Sequence, residues 1–312
     1  MHQRLTVAGL SYAAAPGAPH TVAEALIATA AGIAGDHHAG PGLRQVSMMH
    51  ESAARAGAPD VEEHALPGMG RENILLRGDG LAAVRLLDTL EMGDAIIEVT
   101  RIGKRVSEAG QPLCEPGSHC PLSDFGVFGR VALGGEIRRG EPVRHQQRIL
   151  RAHVITVSDR ASAGEYADTS GPAVRALLEQ WCADHHWGLW GESQVIPDER
   201  EAIATVLSNA RQSGADVVIT TGGTGVGPRD ITPDVVTEFA DKLIPGIMDF
   251  IRLKYGESMP MALASRSVAA VLGQGLIYTL PGSTRAIPEY LGEIFKTMEH
   301  MLLLLKGLDA HG

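Results

Sequence analysis

Apolar and polar positions alternate along the second half of the chain in a regular order. Short apolar runs predict strands, and longer stretches with apolar residues three or four positions apart predict helices. The predicted strands cover residues 152–157, 194–196, 215–219 and 276–280, and the predicted helices cover 173–185, 203–210, 235–240, 247–253 and 287–305. This order is typical of an α/β fold with a doubly wound, mostly parallel sheet and helices on both faces.

The first half has a different pattern, in which β-type runs are separated by glycine-rich turns. These runs cover residues 5–10, 44–49, 95–102 and 126–133. Strand signals this close together predict a β-rich, barrel-like domain. The alanine-rich stretch 21–34 is predicted to be a helix, and 47–56 a second one. Polar residues interrupt both patterns near position 147, so we expect two domains, 1–147 and 148–312.

Composition and charge narrow the class of protein. Of 312 residues, 44% are hydrophobic and 21% charged, as in an ordinary globular protein. The net charge of −10 and the lack of a basic run argue against nucleic acid or an anionic membrane as a partner. Three cysteines indicate a reducing compartment, and residues 1–5 lack the apolar core of a signal peptide. We therefore expect a cytoplasmic protein.

A glycine-rich turn follows the predicted strand 215–219. It reads Thr220-Thr221-Gly222-Gly223-Thr224-Gly225 and fits neither the dinucleotide fingerprint nor the Walker A loop. Bare amides and hydroxyls at the carboxyl end of a strand suit an anionic oxygen, so the turn is a candidate phosphate-binding loop. The alternative is an ordinary strand-to-helix turn that happens to be rich in glycine.

A carboxylate follows this loop at Asp230, ahead of Thr232 and Pro233, which have the pattern of a helix start. A carboxylate beside phosphates would repel them unless a divalent cation lay between, and magnesium is the usual cation. Asp230 is therefore either a magnesium ligand or a surface residue before the helix.

Three other strand ends carry polar residues, which the predicted topology brings to one edge of the sheet. These are Ser158-Asp159-Arg160, Ile196-Pro197-Asp198-Glu199 and Leu280-Pro281-Gly282-Ser283. Each has a structural alternative. Asp198 with Glu201 resembles a capping box, Asp159 is compatible with a turn, and Ser283 with a cap of the last helix.

Taken together, these segments resemble the molybdopterin adenylyltransferases, the MogA/MoaB family that includes the gephyrin G domain. The resemblance covers about residues 150–306 and also rests on Arg229-Asp230-Ile231-Thr232-Pro233 and Ala264-Ser265-Arg266. It implies that molybdopterin is joined to AMP from ATP, with magnesium (Mg²⁺) and release of pyrophosphate. It also implies a homo-oligomer, with a trimer favoured.

The resemblance assigns roles to individual positions. Asp198 and Asp230 match the essential aspartates and would hold magnesium against the ATP phosphates. The positions implied to bind the substrates ATP and molybdopterin are Ser158, Asp159, Thr221, Gly222, Gly223, Thr224, Gly225, Ser265, Pro281, Gly282 and Ser283.

The first half is rich in histidine, but its spacing does not favour a structural zinc site. No Cys-x-x-Cys or His-x-x-x-His pattern occurs. Adjacent histidines such as His37 and His38 point to opposite faces when they lie on a strand.

This half resembles the MOSC domains of molybdenum cofactor sulfurases and related reductases, over most of residues 5–143. The resemblance rests on Gly35-Asp36-x-His38-Ala39-Gly40, Arg44-Gln45-Val46-Ser47, Glu72-Asn73, Ile102-Gly103-Lys104, Cys120 and 126–131. It implies a binding site for the molybdenum cofactor at Cys120, Arg44, Asn73 and Lys104. Many relatives have a second cysteine after the lysine, where this chain has Val106, which argues against two-thiol chemistry. A lone cysteine is also compatible with a small buried residue.

The leading hypothesis is a two-domain enzyme of molybdenum cofactor biosynthesis. Its second domain adenylylates molybdopterin, and its MOSC domain binds or modifies the cofactor or carries sulfur. Other biosynthesis or acceptor proteins are possible partners. The alternatives are a non-catalytic carrier of the cofactor and a MOSC-type molybdenum-dependent reductase.

Overall fold

The computed structural model describes residues 4–57, 59–103 and 126–308. The chain divides into two compact units, the first ending at Arg148 and the second beginning at Ile149. Among the described residues, no helix has both the length and the apolar character needed to cross a lipid bilayer.

The first unit is built mainly of strands. Its elements are β1 (Thr6–Tyr12), β2 (Thr21–Ala23), β3 (Ala25–Thr29), β4 (Gly32–Ile33), β5 (Val46–His50), α1 (Glu51–Gly57), β6 (Ile74–Arg77), β7 (Thr89–Met92), β8 (Ala95–Ile102), β9 (Val127–Leu133), β10 (Gly135–Arg138) and β11 (Val143–Gln146), with short 3-10 turns at Glu63–Ala65 and Leu81–Ala83.

Eight of these strands form one sheet, in the order β11-β7-β8-β9-β5-β6-β1-β2, and β10-β3-β4 form another. The larger sheet curls on itself, because backbone hydrogen bonds join the start of β1 to the start of β11, although these strands are far apart in the strand order. Val143 N donates to Leu5 O at 2.9 Å, and Val7 N donates to Glu141 O at 2.9 Å. The enclosed core is aliphatic and includes Leu10, Met48 and Ile97.

The helix expected at 21–34 is wrong, because this stretch forms β2, β3 and β4. Side chains of β3 alternate between buried and exposed, and β3 pairs with β10 from Ala28 opposite Gly135 to Ala25 opposite Arg138. Tertiary pairing therefore overrides the helical preference of alanine. The stretch 47–56 is only partly helical, since β5 occupies its first residues and α1 begins at Glu51.

The second unit alternates strands with helices, as the apolar pattern predicts. Its elements are β12 (Ile149–Val157), α2 (Asp159–Ser162), α3 (Ser170–Asp184), β13 (Gly188–Ile196), α4 (Arg200–Gln212), β14 (Val217–Thr221), α5 (Thr232–Phe239), β15 (Lys242–Leu243), α6 (Pro245–Gly256), a 3-10 turn (Pro260–Ala264), β16 (Ala269–Leu272), β17 (Gly275–Leu280) and α7 (Ala286–Leu305).

The six strands lie in the order β13-β12-β14-β17-β16-β15. The first four run parallel, whereas β16 and β15 are antiparallel, so the sheet is mixed. The chain moves from β12 outward to β13 and then back across β12 to β14. Because such crossovers are right-handed, this reversal places α3 and α4 on opposite faces of the sheet.

Apolar spacing explains how α4 is held. Ile203, Val206, Leu207 and Ala210 recur at helical spacing, and all four are buried. They share one core with side chains of β12, β14, β17 and α5. On the other side, α3 packs against α7. The crevice between β12 and β14, where the strand order reverses, is where open α/β sheets bind ligands.

Candidate functional site

The carboxyl ends of β12, β13, β14 and β17 surround one cavity of about 720 Å³ in the second unit. Every residue expected to form the adenylylation site lines it. These residues are Ser158, Asp159, Asp198, Thr221, Gly222, Gly223, Thr224, Gly225, Asp230, Ser265, Pro281, Gly282 and Ser283. The structure therefore brings these residues together, while their individual roles stay predictions.

The glycine loop takes a path that only glycine follows without strain. Gly222 and Gly223 have φ of 101° and 61°, in the left-handed region. Gly222 N donates to Leu280 O at 2.9 Å, which ties the loop to the end of β17. Within the described residues, the peptide N–H groups of Gly223, Thr224 and Gly225 donate to no other protein group. These amides are available to an anion.

Arg266 holds the loop from its carbonyl side. Its peptide N–H donates to Thr224 O at 2.9 Å, and its guanidinium donates to Gly225 O at 2.8 Å and also to Asp230 O. The guanidinium also forms two bonds to Asp234, of 2.9 and 3.0 Å. The sequence showed Arg266 only as part of a motif, and its role in positioning the loop became visible in the structure.

Asp198 and Asp159 lock together two strand ends. Asp159 N donates to Asp198 Oδ2 at 2.9 Å, and Asp198 N donates to Asp159 Oδ1 at 3.0 Å. Asp198 is not the cap of α4, because the N-cap residue is Glu199, whose side chain makes no capping bond. The capping alternative for Asp198 is therefore wrong.

Asp230 follows the glycine loop in the sequence, and its carboxylate packs back against the loop. Its Oδ2 accepts a bond from Gly227 N at 2.8 Å. A Cβ atom at Gly225 or Gly227 would lie 2.7 or 2.8 Å from this oxygen, so both glycines are needed for the close approach. The helix start is shifted by one residue from the prediction: Ile231 is the N-cap and Thr232 begins α5.

The two neighbouring aspartates 159 and 198 differ in acidity. Burial raises the pKa of Asp198, and the negative charges of Asp159 and Asp230 raise it further, against the effect of its bond from the Asp159 amide. The pKa of Asp159 is lowered, first by its hydrogen bonds from the exposed Arg229 guanidinium. These bonds include one of 2.6 Å from Nη2. A cation near Asp198 would therefore reduce the repulsion between its carboxylate and those of Asp159 and Asp230.

The three serines that were predicted to bind substrate, Ser158, Ser265 and Ser283, are placed differently in the cavity. Ser158 Oγ lies 2.9 Å from Tyr166 Oη and accepts from Ala161 N, so it caps α2. Ser265 Oγ lies 2.9 Å from Ser267 Oγ. Ser283 does not cap α7 through its side chain, because the N-cap residue is Arg285. The proposed cap role of Ser283 is therefore wrong.

Sequence reasoning missed the apolar wall of this cavity. It includes Tyr255, Met259, Met261, Ala262 and Tyr290, and the cations Arg160 and Arg285 also line the cavity. The Tyr290 hydroxyl is buried and has no partner among the described residues. Of these residues only Tyr290 falls in a predicted helix, and helical spacing does not distinguish a cavity wall from a core; no sequence signal marked the others.

The first unit has its own cavity, of about 340 Å³. It is lined mainly by Arg44, Ser47, Arg71, Phe128 and the three histidines His20, His37 and His38. Arg44 lies with its guanidinium carbon 5.8 Å from the centre of the Phe128 ring. Of the residues expected to bind the molybdenum cofactor, Arg44 is thus in a cavity, while Cys120 and Lys104 lie outside the described residues.

Asn73 lies beneath this cavity and contacts protein groups. Its Oδ1 accepts from Ser47 N and Ser47 Oγ at 3.0 Å each, and its Nδ2 donates to Asp36 Oδ2 at 3.0 Å. Asn73 is 2% exposed. The structure therefore gives it a supporting position rather than a place in the cavity wall.

Glu72 is a buried carboxyl group next to Asn73, and its raised pKa predicts that the stability of the first unit depends on pH. Burial raises its pKa from 4.5 to about 7, although Gly68 N and Gly70 N donate to its oxygens at 2.7 and 3.0 Å. Because the folded pKa is the higher one, the stability is fully present below the ordinary value and is lost as pH rises through 7. We expect the unfolding free energy of the first unit to fall by about 2 kcal/mol between about pH 5 and pH 8.

Hydrogen exchange of peptides from β1 and β6, corrected for intrinsic rates, measures this dependence. Glu72→Gln should remove the slope, whereas Glu62→Gln, at an exposed position, should keep it. An unchanged slope in Glu72→Gln would show that another group titrates.

Comparison with known proteins identifies relatives of the second unit. Residues 153–300 match the family described as a probable molybdopterin binding domain. The molybdopterin adenylyltransferase of Haemophilus influenzae is 36% identical over 174 residues, which span 51% of this chain and 86% of that protein. The Helicobacter pylori protein of the same name is 33% identical over 155 residues, spanning 49% and 86%.

Gephyrin of Dictyostelium discoideum is 35% identical over 164 residues, which cover 49% of this chain and 22% of gephyrin. Among solved structures, the molybdopterin biosynthesis enzyme MoaB of Thermus thermophilus is 36% identical, with a TM-score of 0.46, and covers 51% of this chain and 98% of that one. On the sequence identity and the coverage of the bacterial relatives, the chain belongs, through its second half, to the family of the molybdopterin adenylyltransferases.

Proposed function

We propose that the second unit transfers AMP from ATP to molybdopterin in a magnesium-dependent reaction of molybdenum cofactor biosynthesis. One observation carries the proposal: two carboxylates, Asp198 and Asp230, share a cavity with the unbonded amides of the glycine loop. The family relatives bear the name of this activity.

In the proposed reaction, an oxygen of the terminal phosphate of molybdopterin attacks the α-phosphorus of ATP. The new bond is phosphorus–oxygen, and the bond between the α-phosphorus and the bridging oxygen breaks, so pyrophosphate leaves. Such a transfer depends mainly on alignment and charge neutralisation. The loop amides of Gly223, Thr224 and Gly225 suit the phosphate oxygens, because peptide N–H groups donate without adding a competing negative charge.

The donor set fits magnesium, which prefers carboxylate and phosphate oxygens. Asp198 and Asp230 would hold the ion, which supplies positive charge against the phosphates of the nucleotide. Asp159 keeps Asp198 in place through the paired amide bonds, and Arg229 holds Asp159. The carboxylate that would meet the ion is thus oriented before any ligand arrives.

For the first unit we propose a MOSC-type role, in which it binds or modifies the molybdenum cofactor or carries sulfur. Its curled sheet and the position of Arg44 in the cavity support this role. A homo-oligomer, with a trimer favoured, and contacts with other biosynthesis or acceptor proteins stay predictions.

A product assay on the full chain tests the adenylylation proposal. The protein is incubated with ATP, magnesium and molybdopterin, and adenylylated pterin and pyrophosphate are measured. Asp230→Asn is expected to lower the rate by on the order of 10²-fold or more, because transition-state charge is no longer neutralised. Binding of molybdopterin should persist.

Asp184→Asn is the matched control, because Asp184 is exposed at the end of α3 and lies outside the cavity. Binding of molybdopterin without any product in the unchanged chain would contradict the proposal and favour a carrier. Molybdenum retained by the first unit together with reductase turnover would favour the reductase alternative.

A further inference from the structure

One guanidinium of the adenylylation cavity is held in place by a carboxylate and still has free hydrogen-bond donors. We propose that Arg229 binds the pyrophosphate portion of the nucleotide, meaning the β- and γ-phosphates of ATP and the pyrophosphate released from it. The inference rests on the proposed function, because it assigns a residue to the leaving group of that reaction. Its test measures binding and does not require turnover.

Arg229 is connected to both proposed magnesium ligands. It directly precedes Asp230 in the chain. Its guanidinium bonds to Asp159, and Asp159 and Asp198 in turn exchange backbone-to-carboxylate bonds of 2.9 and 3.0 Å. All four residues line the same cavity as the amides of the glycine loop. Arg229 is therefore a cation whose covalent and hydrogen-bonded neighbours are the carboxylates expected to hold the ion.

The Asp159 carboxylate occupies one edge of the Arg229 guanidinium and leaves another edge open. Nε donates to Oδ2 at 3.1 Å, and Nη2 donates to Oδ1 and Oδ2 at 2.7 and 2.6 Å. Nη1 has no hydrogen-bond partner among the described residues, and the Arg229 side chain is 61% exposed. The N–H groups of Nη1 are thus available to a ligand, and guanidinium N–H groups match phosphate oxygens in charge and geometry.

Two other arginines line the cavity, but no carboxylate orients them. The central guanidinium carbon of Arg160 lies 5.2 Å from the centre of the Tyr166 ring. The guanidinium of Arg285 has no hydrogen bond or ion pair to any described residue. A side chain that is fixed before binding loses less conformational entropy when the ligand arrives. Arg229 is therefore favoured over both.

The charge of Arg229 suits the leaving group of the proposed reaction. Negative charge builds up on the pyrophosphate as its bond to the α-phosphorus breaks, and a cation stabilises that charge more than a neutral amide does. Hydrogen bonds to Asp159 raise the pKa of Arg229, so the guanidinium stays protonated. The carboxylate of Asp159 offsets part of this positive charge. Replacing Asp159 should therefore make more positive charge available to a phosphate, whereas replacing Arg229 should remove it.

Calorimetric titration of the full chain with inorganic pyrophosphate and magnesium tests the assignment. We expect saturable binding to the unchanged chain. Arg229→Gln should weaken this binding by about 10–100-fold, because a hydrogen bond between two charged groups is lost. Arg229→Lys should bind more tightly than Arg229→Gln, since the charge remains, and less tightly than the unchanged chain, since the planar fork is lost.

Asp159→Asn distinguishes a ligand-binding arginine from one that only supports Asp159. Asparagine keeps an oxygen for the amide of Asp198 but removes the negative charge, so pyrophosphate should bind at least as tightly as to the unchanged chain. Equal losses of affinity in Asp159→Asn and Arg229→Gln would mean that Arg229 acts only through Asp159, and would overturn the proposal. Arg200→Gln is the matched control, because Arg200 is an exposed arginine paired with Glu238 outside the cavity.

Far-ultraviolet circular dichroism checks the fold of each variant. If a variant misfolds, modification of the unchanged chain by phenylglyoxal decides, since bound pyrophosphate should protect Arg229 from this arginine reagent. No saturable pyrophosphate binding, full affinity in Arg229→Gln, or loss of affinity in Arg285→Gln alone would overturn the proposal. Pyrophosphate binding that depends on Arg229, in a chain that forms no adenylylated pterin, would instead contradict the adenylylation proposal and support the pyrophosphate site.

Discussion

Replacing Asp198 with asparagine is expected to lower the rate of adenylylation by about 10²–10³-fold while leaving the second unit at least as stable as before. The variant keeps an oxygen that can accept from Asp159 N, so the bond between the two strand ends can persist. The variant loses the negative charge that would face the proposed magnesium ion. Catalysis and stability should therefore respond in opposite directions.

The direction of the stability change follows from the pKa of Asp198, which burial raises above its ordinary value. For an acid with a raised folded pKa, the favourable contribution is present at low pH and is lost as pH rises through the folded value. Asparagine removes that loss, so the variant should resist urea equally or better at neutral pH. In the unchanged enzyme, the same shift should move the acid limb of the pH–rate profile to higher pH than an ordinary aspartate would give.

Product assays and urea unfolding, followed by tryptophan fluorescence, measure both effects. All three tryptophans, Trp181, Trp187 and Trp190, lie in the second unit, so the fluorescence reports on that unit alone. Glu201→Gln on α4 is the matched control and should retain activity. Intact activity in Asp198→Asn with reduced stability would mean that this aspartate is structural.

Replacing Gly222 with alanine is expected to destabilise the second unit by on the order of 3 kcal/mol or more. A Cβ atom at this position would lie 2.2 Å from the carbonyl oxygen of Val157, which is backbone at the end of β12 and has little room to move. The φ of 101° adds strain for any residue with a side chain. The loop must then shift away from β12, so activity should fall as well.

Gly292→Ala provides the matched control for this substitution. Gly292 lies within α7, and a Cβ atom there would meet no atom within 4 Å. Alanine should stabilise that helix by roughly 0.5–1 kcal/mol. Equal unfolding midpoints for Gly222→Ala and the unchanged chain would contradict the described path of the loop.

Much of the fold and the site of the second unit could be predicted from the sequence, because two independent signals agreed. Apolar spacing predicted α4 from Ile203 to Ala210, and polar residues at four strand ends predicted where the site would form. Strand ends of a doubly wound sheet meet at one edge, so the topology alone brings Asp198 and Asp230 into one cavity.

Contacts between residues distant in sequence lay beyond such reasoning. The paired bonds of Asp159 and Asp198 span 39 positions, and no local pattern encodes them. In the first unit, alanine content at 21–34 favoured a helix, but pairing with β10 formed strands. His37 and His38 lie in a turn after β4, so the alternation that applies to adjacent residues of a strand does not apply to them.

The hold of Arg266 on the glycine loop has a consequence for ligand affinity. Its bonds occupy three carbonyl oxygens of the segment 224–230, so the turn is set while the protein folds. If the proposed nucleotide binds at this loop, it meets a loop that is already ordered, so little of its interaction energy is spent on ordering it. We therefore expect the loop to keep the same backbone conformation before and after a ligand binds.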